Sequence, residues 1–160
     1  MVMRRGVFLD RDGVINVKPP AGDYVRSWEA FQLIPTMVDW IRLFNTLDLL
    51  VIVVTNQRGV ARGLMSQSDL DRIHEVMLER LEAAGARIDD IFCCVHAEGT
   101  CQCRKPRPGM VLEAARKWNI DLSGSILIGD SPVDRRLAEA CQLRFVAVDE
   151  GKITEIVGFR

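Results

Sequence analysis

Short apolar runs, each bounded by polar or turn-forming residues, predict β-strands along this chain. They cover residues 7–9, 49–54, 91–94, 126–128 and 145–148. The run at 49–54 contains only Leu, Val and Ile, with no polar alternation. Such a run is typical of a strand that is buried on both faces of a parallel sheet.

Amphipathic helices are predicted between these runs. Apolar residues recur with helical spacing at 37, 40, 41 and 44, and again at 70, 73, 77, 78 and 81. The second of these helices has a start signal in Ser66, with Asp69 three residues later, and an end signal in Gly85. Further helices are predicted at 108–118 and 132–141, each with Pro near its first turn. The alternation predicts an α/β protein with a doubly wound, mainly parallel sheet.

Residues 14–35, called the flap below, fit neither the strand nor the helix periodicity. They contain Pro19, Pro20, Gly22 and Pro35 and follow the first predicted strand. The flap is too short to be a cap domain of its own. We therefore expect the 160 residues to form a single domain, 1–160, without a separate cap.

The charge and apolar content of the chain exclude some classes of partner. The net charge is −1 and no polybasic stretch exists, which argues against nucleic-acid binding and against binding to an anionic membrane. The longest apolar run, 49–54, is far too short to span a bilayer, and the N-terminus does not read as a signal peptide. We expect a cytoplasmic monomer whose partner is a small phosphorylated metabolite.

Polar side chains that could take part in catalysis or ligand binding follow four of the predicted strands. They are Asp10 and Asp12, then Thr55 and Asn56, then Arg104 and Lys105, and finally Asp130 with Asp134. In an open parallel sheet, ligands bind outside the carboxyl ends of the strands, so these side chains should share one edge. Each motif alone is usually turn chemistry, and it is their joint occurrence that predicts a site.

The residue types at this edge suit phosphoryl transfer. Asp10, Asp12 and Asp130 offer hard oxygen ligands, which favour Mg²⁺ over softer metals. Lys105 adds a positive charge, and the Thr55 hydroxyl can donate to a phosphoryl oxygen. A carboxylate can itself attack phosphorus and form an aspartyl-phosphate. A magnesium ion would also offset the repulsion between the neighbouring carboxylates.

Four motifs, in this order, resemble the haloacid dehalogenase superfamily of phosphohydrolases. They are "DRDGVIN", "TNQRGVARG", "CRKPRPGM" and "GDSPVD", and the resemblance covers residues 6–148. Within that superfamily they are similar to the small, cap-less branch that contains heptose 1,7-bisphosphate phosphatases and histidinol-phosphate phosphatases. The resemblance implies a Rossmann-like fold and a Mg²⁺-dependent phosphomonoesterase activity.

The resemblance also implies individual roles. Asp10 resembles the nucleophile, Asp12 the general acid–base, and Thr55 and Lys105 the phosphoryl-binding pair. The implied magnesium ligands are Asp10, the backbone carbonyl of Asp12, and Asp130. Asp134 is similar to a supporting acid that orients Lys105 or a metal-bound water, and Asn56 and Arg104 are similar to substrate-contacting residues.

A cluster of cysteines precedes the Arg104–Lys105 motif. Its pattern is Cys94-x-His96-x₄-Cys101-x-Cys103, and three thiols with one imidazole can hold a tetrahedral Zn²⁺. From spacing alone, reduced cysteines beside a surface histidine, or a redox site, remain alternatives. The resemblance implies structural zinc, because related phosphatases carry a similar loop here. Cys93 is a rival for the position of Cys94.

The sequence features point to the substrate less directly than to the type of reaction. The motif context and the cations Arg58, Arg62, Arg104 and Arg107 favour the 7-phosphate of D-glycero-D-manno-heptose 1,7-bisphosphate. The short spacing between His96 and Cys101 favours histidinol phosphate instead. A nucleic-acid 3′-phosphatase and a non-catalytic phosphate-binding module are further alternatives.

Two single positions complete the sequence-based expectations. Many heptose phosphatases carry Lys where this chain has Ser131, and this difference weakens the assignment of the substrate while leaving the chemistry unchanged. His74 lies in a predicted amphipathic helix, and we expect its side chain on the surface.

Overall fold

The sheet of this protein has the order β3-β2-β1-β4-β5-β6 in a computed structural model that describes residues 2–159. The strands of that part of the chain are β1 Gly6–Leu9, β2 Leu50–Asn56, β3 Asp90–Cys94, β4 Ile126–Gly129, β5 Arg144–Asp149 and β6 Lys152–Val157. Strands β1 to β5 run parallel to one another, and β6 runs antiparallel to β5. The predicted α/β class with a mainly parallel sheet is confirmed.

Helices cover both faces of the sheet. They are α1 Pro35–Thr46, α2 Gln67–Ala83, α3 Gly109–Trp118 and α4 Pro132–Ala140, and short 3₁₀ turns lie at Trp28–Ala30 and Leu122–Gly124. Buried residues of α1 and α2 pack in one hydrophobic cluster, and those of α3 and α4 pack in a second. Along β2, Val51 and Val53 join the first cluster, while Ile52 and Val54 join the second. This two-sided burial explains why β2 shows no polar alternation.

The predicted helix signals are present at α2. The Ser66 hydroxyl accepts from the Asp69 backbone N–H at 3.0 Å, and the Asp69 carboxylate accepts from the Ser66 N–H at 2.9 Å. This reciprocal pair satisfies two donors at the start of the helix. Gly85 follows the helix with a φ of +78°, a left-handed conformation that glycine adopts without steric cost.

Apart from shifts of one residue at the ends of other elements, two strands differ from the sequence-based expectation. Strand β2 extends to Asn56 because Thr55 and Asn56 still pair with Cys93 and Cys94 of β3. Strand β6 has no counterpart among the predicted strands. Its residues are mostly exposed at the edge of the sheet, so the segment carries no continuous apolar run.

The flap packs onto the main core and forms no separate cap. Val14, Ile15, Val25 and Phe31 are buried in the same cluster as α1 and α2. Asn16 bridges to Leu33, which ties the two ends of the flap together. None of the helices in residues 2–159 is long and apolar enough to cross a membrane.

Candidate active site

The predicted polar side chains do meet at one edge of the sheet. Asp10 follows β1, Thr55 lies near the end of β2, and Asp130 follows β4. Because β1 lies between β2 and β4, these three strand ends are neighbours. Lys105 and Asp134 reach the same place from the loop before α3 and from α4. Below, Asp10, Asp12, Lys105, Asp130 and Asp134 are called the carboxylate site.

Lys105 lies between two carboxylates. Its Nζ donates to Asp10 Oδ1 at 2.9 Å and to Asp134 Oδ1 at 2.8 Å. Lys105 is 5% exposed and Asp134 is 1% exposed. Burial alone would lower the pKa of Lys105, but the charges of the two carboxylates outweigh it and raise that pKa above its ordinary value. Lys105 is therefore a permanently charged group at the centre of the site.

The two carboxylates respond differently to this lysine. Burial and the charge of Asp134 raise the pKa of Asp10 well above its ordinary value, against the opposing effect of Lys105. Burial also acts to raise the pKa of Asp134, but the charge and hydrogen bond of Lys105 lower it overall. Asp134 thus remains an anion that holds Lys105. The ionised form of Asp10 needs additional positive charge nearby to be stable.

Close approaches between backbone and carboxylates require glycine at two positions. A Cβ on Gly13, whose φ is +87°, would lie 2.1 Å from Asp130 Oδ2. A Cβ on Gly129 would lie 2.3 Å from the Cβ of Asp134. Glycine at these positions lets Asp130 and Asp134 approach the β1 and β4 ends closely.

Three carboxylates of the site could hold a metal ion. Oxygen atoms of Asp10, Asp130 and Asp134 lie within 4.8 Å of one another. The Asp134 oxygens already accept from Lys105, from Ser131 Oγ at 3.0 Å and from the Asp130 N–H at 3.3 Å. In contrast, Asp130 Oδ1 is buried and has no hydrogen-bond partner within residues 2–159. The donor set therefore fits a hard cation between Asp10 and Asp130.

The Asp12 carboxylate is held by four hydrogen bonds. Its Oδ1 accepts from Arg11 Nε at 3.0 Å, from Arg11 Nη2 at 2.9 Å and from Asn16 Nδ2 at 2.9 Å. Its Oδ2 accepts from Gln57 Nε2 at 3.1 Å. Burial acts to raise the pKa of Asp12, but the charge of Arg11 and these hydrogen bonds lower it overall.

The remaining predicted residues lie close by with different partners. Thr55 Oγ1 accepts from Gln57 Nε2 at 3.0 Å, which leaves its own O–H free to donate. The Asn56 side chain is engaged with the Lys105 backbone: Oδ1 accepts from N–H at 2.9 Å, and Nδ2 donates to O at 3.2 Å. Arg104 Nη1 is buried without a partner in the described chain. Contacts of Asn56 and Arg104 with a substrate stay predictions.

The second predicted site lies in residues 94–103, called the cysteine loop below. One ligand atom each of Cys94, His96, Cys101 and Cys103 lies within 4.8 Å of the others. The Cys94 and Cys103 sulfurs are 2.9 Å apart, and His96 Nδ1 is 3.1 Å from Cys103 Sγ. Hydrogen bonds from Cys103 and neighbouring backbone outweigh the burial effect and lower the pKa of Cys101 to about 6, whereas burial and the neighbouring thiols raise the pKa of Cys103 to about 12.

Cys93 does not join this cluster. Successive side chains of a strand point to opposite faces, and Cys94 is the one that faces the loop. Burial raises the pKa of Cys93 to about 12, and its charged neighbours include Arg11 and Asp71. Between the two rivals, the geometry therefore favours Cys94 as the ligand.

Four side chains at or near the site were not anticipated. Arg11 is fully buried, and Gln57 is buried beside Thr55. Lys18 of the flap donates to Asp130 Oδ2 at 2.8 Å. The expectation of a surface His74 is wrong: the ring is half-buried, and its Nε2 lies 3.0 Å from Arg11 Nη1. The position of Arg11 between Asp10 and Asp12 in the sequence could have indicated that it belongs to the site.

Comparison with known proteins identifies the family. The HAD-hydrolase-like family matches residues 102–156 of this chain. The chain is 43% identical over 145 residues to D-glycero-β-D-manno-heptose-1,7-bisphosphate 7-phosphatase of Rhodopseudomonas palustris, covering 86% of this chain and 79% of the relative. This chain belongs to the haloacid dehalogenase superfamily of phosphatases.

Two further similarities place this phosphatase among related proteins. It is 42% identical over 134 residues to D-glycero-α-D-manno-heptose-1,7-bisphosphate 7-phosphatase of Mycobacterium bovis, covering 82% of this chain and 70% of the relative. A solved structure of D,D-heptose 1,7-bisphosphate phosphatase from B. bronchiseptica, complexed with magnesium and phosphate, has a TM-score of 0.86 and 34% identity. That similarity covers 98% of this chain and 90% of the other.

Proposed function

We propose that this phosphatase removes the 7-phosphate of a D-glycero-D-manno-heptose 1,7-bisphosphate through an aspartyl-phosphate on Asp10. The observation that carries the chemistry is the hydrogen bonding of the Asp10 carboxylate. Lys105 Nζ and the Arg11 backbone N–H, at 2.9 and 2.8 Å, both donate to Oδ1. Oδ2 is therefore the oxygen left to attack phosphorus.

Magnesium fits the carboxylate site. Asp10 and Asp130, with the backbone carbonyl of Asp12, would hold the ion, and the unpartnered Asp130 Oδ1 supports this placement. When bound, Mg²⁺ supplies positive charge to the phosphoryl oxygens and favours the ionised form of Asp10. The magnesium and phosphate in the B. bronchiseptica relative support the same assignment.

In the first step, Asp10 Oδ2 attacks phosphorus while the bond to the leaving oxygen breaks. Lys105, from the loop before α3, contacts Asp10, and the Thr55 hydroxyl lies near the end of the neighbouring strand β2. Both groups can stabilise the negative phosphoryl oxygens. Asp12 supplies the proton to the leaving oxygen from its protonated form, which is the minor form at neutral pH because Arg11 and the hydrogen bonds to the carboxylate lower its pKa. The products are the heptose 1-phosphate and phosphorylated Asp10.

In the second step, Asp12 takes a proton from a water molecule, which attacks the phosphorus of the aspartyl-phosphate. The bond between phosphorus and Asp10 breaks, so inorganic phosphate leaves and the carboxylate is restored. Asp134 contributes by holding Lys105 in place, at 2.8 Å, through both steps. The proton that Asp12 gave in the first step is thereby recovered.

The cysteine loop is proposed to hold a structural Zn²⁺. Its four ligand atoms would supply all four ligands of a tetrahedral zinc ion and would leave no position for a substrate. The loop leads directly to Arg104 and Lys105. A zinc ion would therefore fix the segment that delivers Lys105 to the carboxylate site.

The heptose bisphosphate is proposed from the relatives and from the cations near the site. Both relatives named above act on heptose 1,7-bisphosphates, one on the β and one on the α anomer. Arg58 Nε and Arg104 Nη1 are buried N–H groups without partners within residues 2–159. The guanidinium groups of Arg58 and Arg104 are proposed to bind the phosphate that is not hydrolysed. The cytoplasmic location and monomeric state stay predictions.

Steady-state kinetics test this proposal. The purified enzyme with Mg²⁺ is assayed with both anomers of heptose 1,7-bisphosphate and with histidinol phosphate, and the position of the remaining phosphate is read by NMR. We expect the highest kcat/KM with a heptose bisphosphate and release of the 7-phosphate alone. A higher kcat/KM with histidinol phosphate would overturn the substrate and leave the mechanism standing.

A further inference from the structure

Arg11 is a buried guanidinium inside the active site that the proposed mechanism does not use. The residue is 0% exposed and lies between Asp10 and Asp12 in sequence. A buried charge is costly unless its donors are paired. Arg11 Nε and Nη2 both donate to Asp12 Oδ1, and Nη1 faces His74 Nε2 at 3.0 Å. The Phe31 ring of the flap lies 6.0 Å from the guanidinium carbon.

The contact with His74 has a defined direction. Arginine has donors and no acceptor, so His74 Nε2 must accept and the ring proton must be on Nδ1. Burial first, and then the charge of Arg11, lower the pKa of His74 to about 4. The ring is therefore neutral near pH 7 and able to accept. His74 thus anchors the end of Arg11 that faces away from Asp12.

The consequence for Asp12 is an unequal use of its two oxygens. Oδ1 accepts three hydrogen bonds, two from Arg11 and one from Asn16, which exceeds its two lone-pair directions. Oδ2 accepts from Gln57 Nε2, which also donates to Thr55 Oγ1. Oδ2 therefore retains acceptor capacity and shares the Gln57 donor with the Thr55 hydroxyl.

We propose that Arg11 and His74 are positioning residues that fix the Asp12 carboxylate so that Oδ2 is the atom that exchanges the proton. This inference rests on the proposed function, in which Asp12 protonates the leaving oxygen. Arg11 holds Oδ1, and His74 holds Arg11. Neither residue touches the substrate.

The leaving group provides a readout that separates positioning from stability. An alkyl phosphate must receive a proton as its alkoxide leaves, whereas nitrophenolate is a stable anion that leaves without one. The value of kcat/KM reports the steps up to formation of the aspartyl-phosphate. Misplacing Asp12 should thus reduce kcat/KM for an alkyl phosphate far more than for p-nitrophenyl phosphate.

The test compares two substitutions of His74. Gln can place an acceptor near the position of Nε2, and Leu cannot accept. We expect His74→Leu to lower kcat/KM for the preferred alkyl phosphate at least about tenfold more than for p-nitrophenyl phosphate, within the hundredfold or greater contribution of general acids. His74→Gln should restore most of this ratio. Arg72→Gln, on the exposed face of the same helix, is the matched control and should change neither value.

The outcomes are distinct. Equal losses on both substrates, or no loss with His74→Leu, would overturn the positioning role. If the leucine variant does not fold, Arg11→Lys is tested instead, because lysine keeps the charge but cannot donate from two nitrogens at once. It should likewise lower kcat/KM more for the alkyl phosphate than for p-nitrophenyl phosphate. The proposed function would instead fail if the wild-type enzyme hydrolysed none of these phosphate esters.

Discussion

In the carboxylate site, a lysine ammonium lies 2.9 Å from Asp10 and 2.8 Å from Asp134, so the chain supplies its own counter-charge. In the cysteine loop, the ligand atoms of Cys94, His96, Cys101 and Cys103 face one another. The first site joins segments that are far apart in sequence, whereas the second occupies ten consecutive residues. The first region therefore depends on the fold, and the second depends on the zinc ion that we propose for it.

Because of this difference, the reaction and the structure of the cysteine loop should respond separately to substitutions in the two regions. Breaking the carboxylate site should stop the reaction and leave the loop intact, because the loop ligands make no contact with Asp10 in the hydrogen bonds of the described residues. Breaking the loop should act on the reaction only through the position of Arg104 and Lys105.

Asp10→Asn should have the largest effect. The amide keeps the shape of the side chain but cannot attack phosphorus, and phosphate-monoester hydrolysis is so slow without catalysis that enzymes accelerate it up to about 10²¹-fold. We expect nearly complete loss of phosphatase activity, measured with p-nitrophenyl phosphate. The melting temperature should not fall, since burial already disfavours a charge at this position.

The matched control for the nucleophile is Asp39→Asn, on the surface of α1, which should retain full activity. The zinc content of the Asp10→Asn protein should equal that of the wild type. Turnover by Asp10→Asn at the wild-type rate would show that Asp10 is not the nucleophile.

Lys105→Met tests the dependence of the carboxylate site on its own lysine. Removing the ammonium leaves Asp10 and Asp134 buried without their cation, and breaking a buried ion pair from one side costs about 3–5 kcal/mol. We expect a loss of that size in the free energy of unfolding, measured with urea. Lys117→Met removes an exposed ion pair with Asp90 and should cost no more than about 1 kcal/mol. Equal costs for the two variants would contradict the comparison.

Cys101→Ser tests the dependence of the cysteine loop on zinc. We expect about one tightly bound Zn²⁺ per wild-type chain by elemental analysis and loss of that ion in the variant, because structural zinc needs its complete ligand set. The melting temperature should fall, and activity should fall less than in Asp10→Asn. Cys93→Ser is the control and should keep the zinc. Metal-free wild-type protein with full activity would refute a structural zinc site.

The last prediction concerns His74 and pH. Its pKa is about 4 in the folded protein and 6.5 ordinarily, so the unfolded chain binds this proton more readily. The stability that neutral His74 contributes is complete above pH 6.5 and is lost as the pH falls toward 4. Arg11, Asp12 and Asp71 are the charged groups that act on the ring.

The measurement compares the wild type with His74→Gln by urea unfolding at several pH values. Other titrating groups contribute to both proteins, so the difference reports His74. Relative to the variant, the wild type should lose stability at up to about 1.4 kcal/mol per pH unit between pH 6.5 and 4. A difference that does not change with pH would show that His74 is not held neutral.

Local sequence patterns predicted much of the fold. The strands β1, β2 and β4 and the capping box of α2 were predictable because burial on both sheet faces and a reciprocal Ser66–Asp69 pair leave direct marks in neighbouring residues. Strand β6 was missed because its residues are exposed at the sheet edge. An edge strand is defined by its pairing with β5, and no apolar pattern records that pairing.

The sequence by itself determined which chemical groups stand at the strand ends, and it placed four metal-type ligands within ten residues. Only the tertiary structure decided how those groups are used. Arg11 meets His74 across 63 positions of the chain, and Lys18 meets Asp130 across 112. Such contacts depend on strand order and on helix packing, and these bring distant segments within hydrogen-bond distance without any shared local pattern. The contacts of Arg11, His74 and Lys18 could therefore not be predicted from the sequence alone.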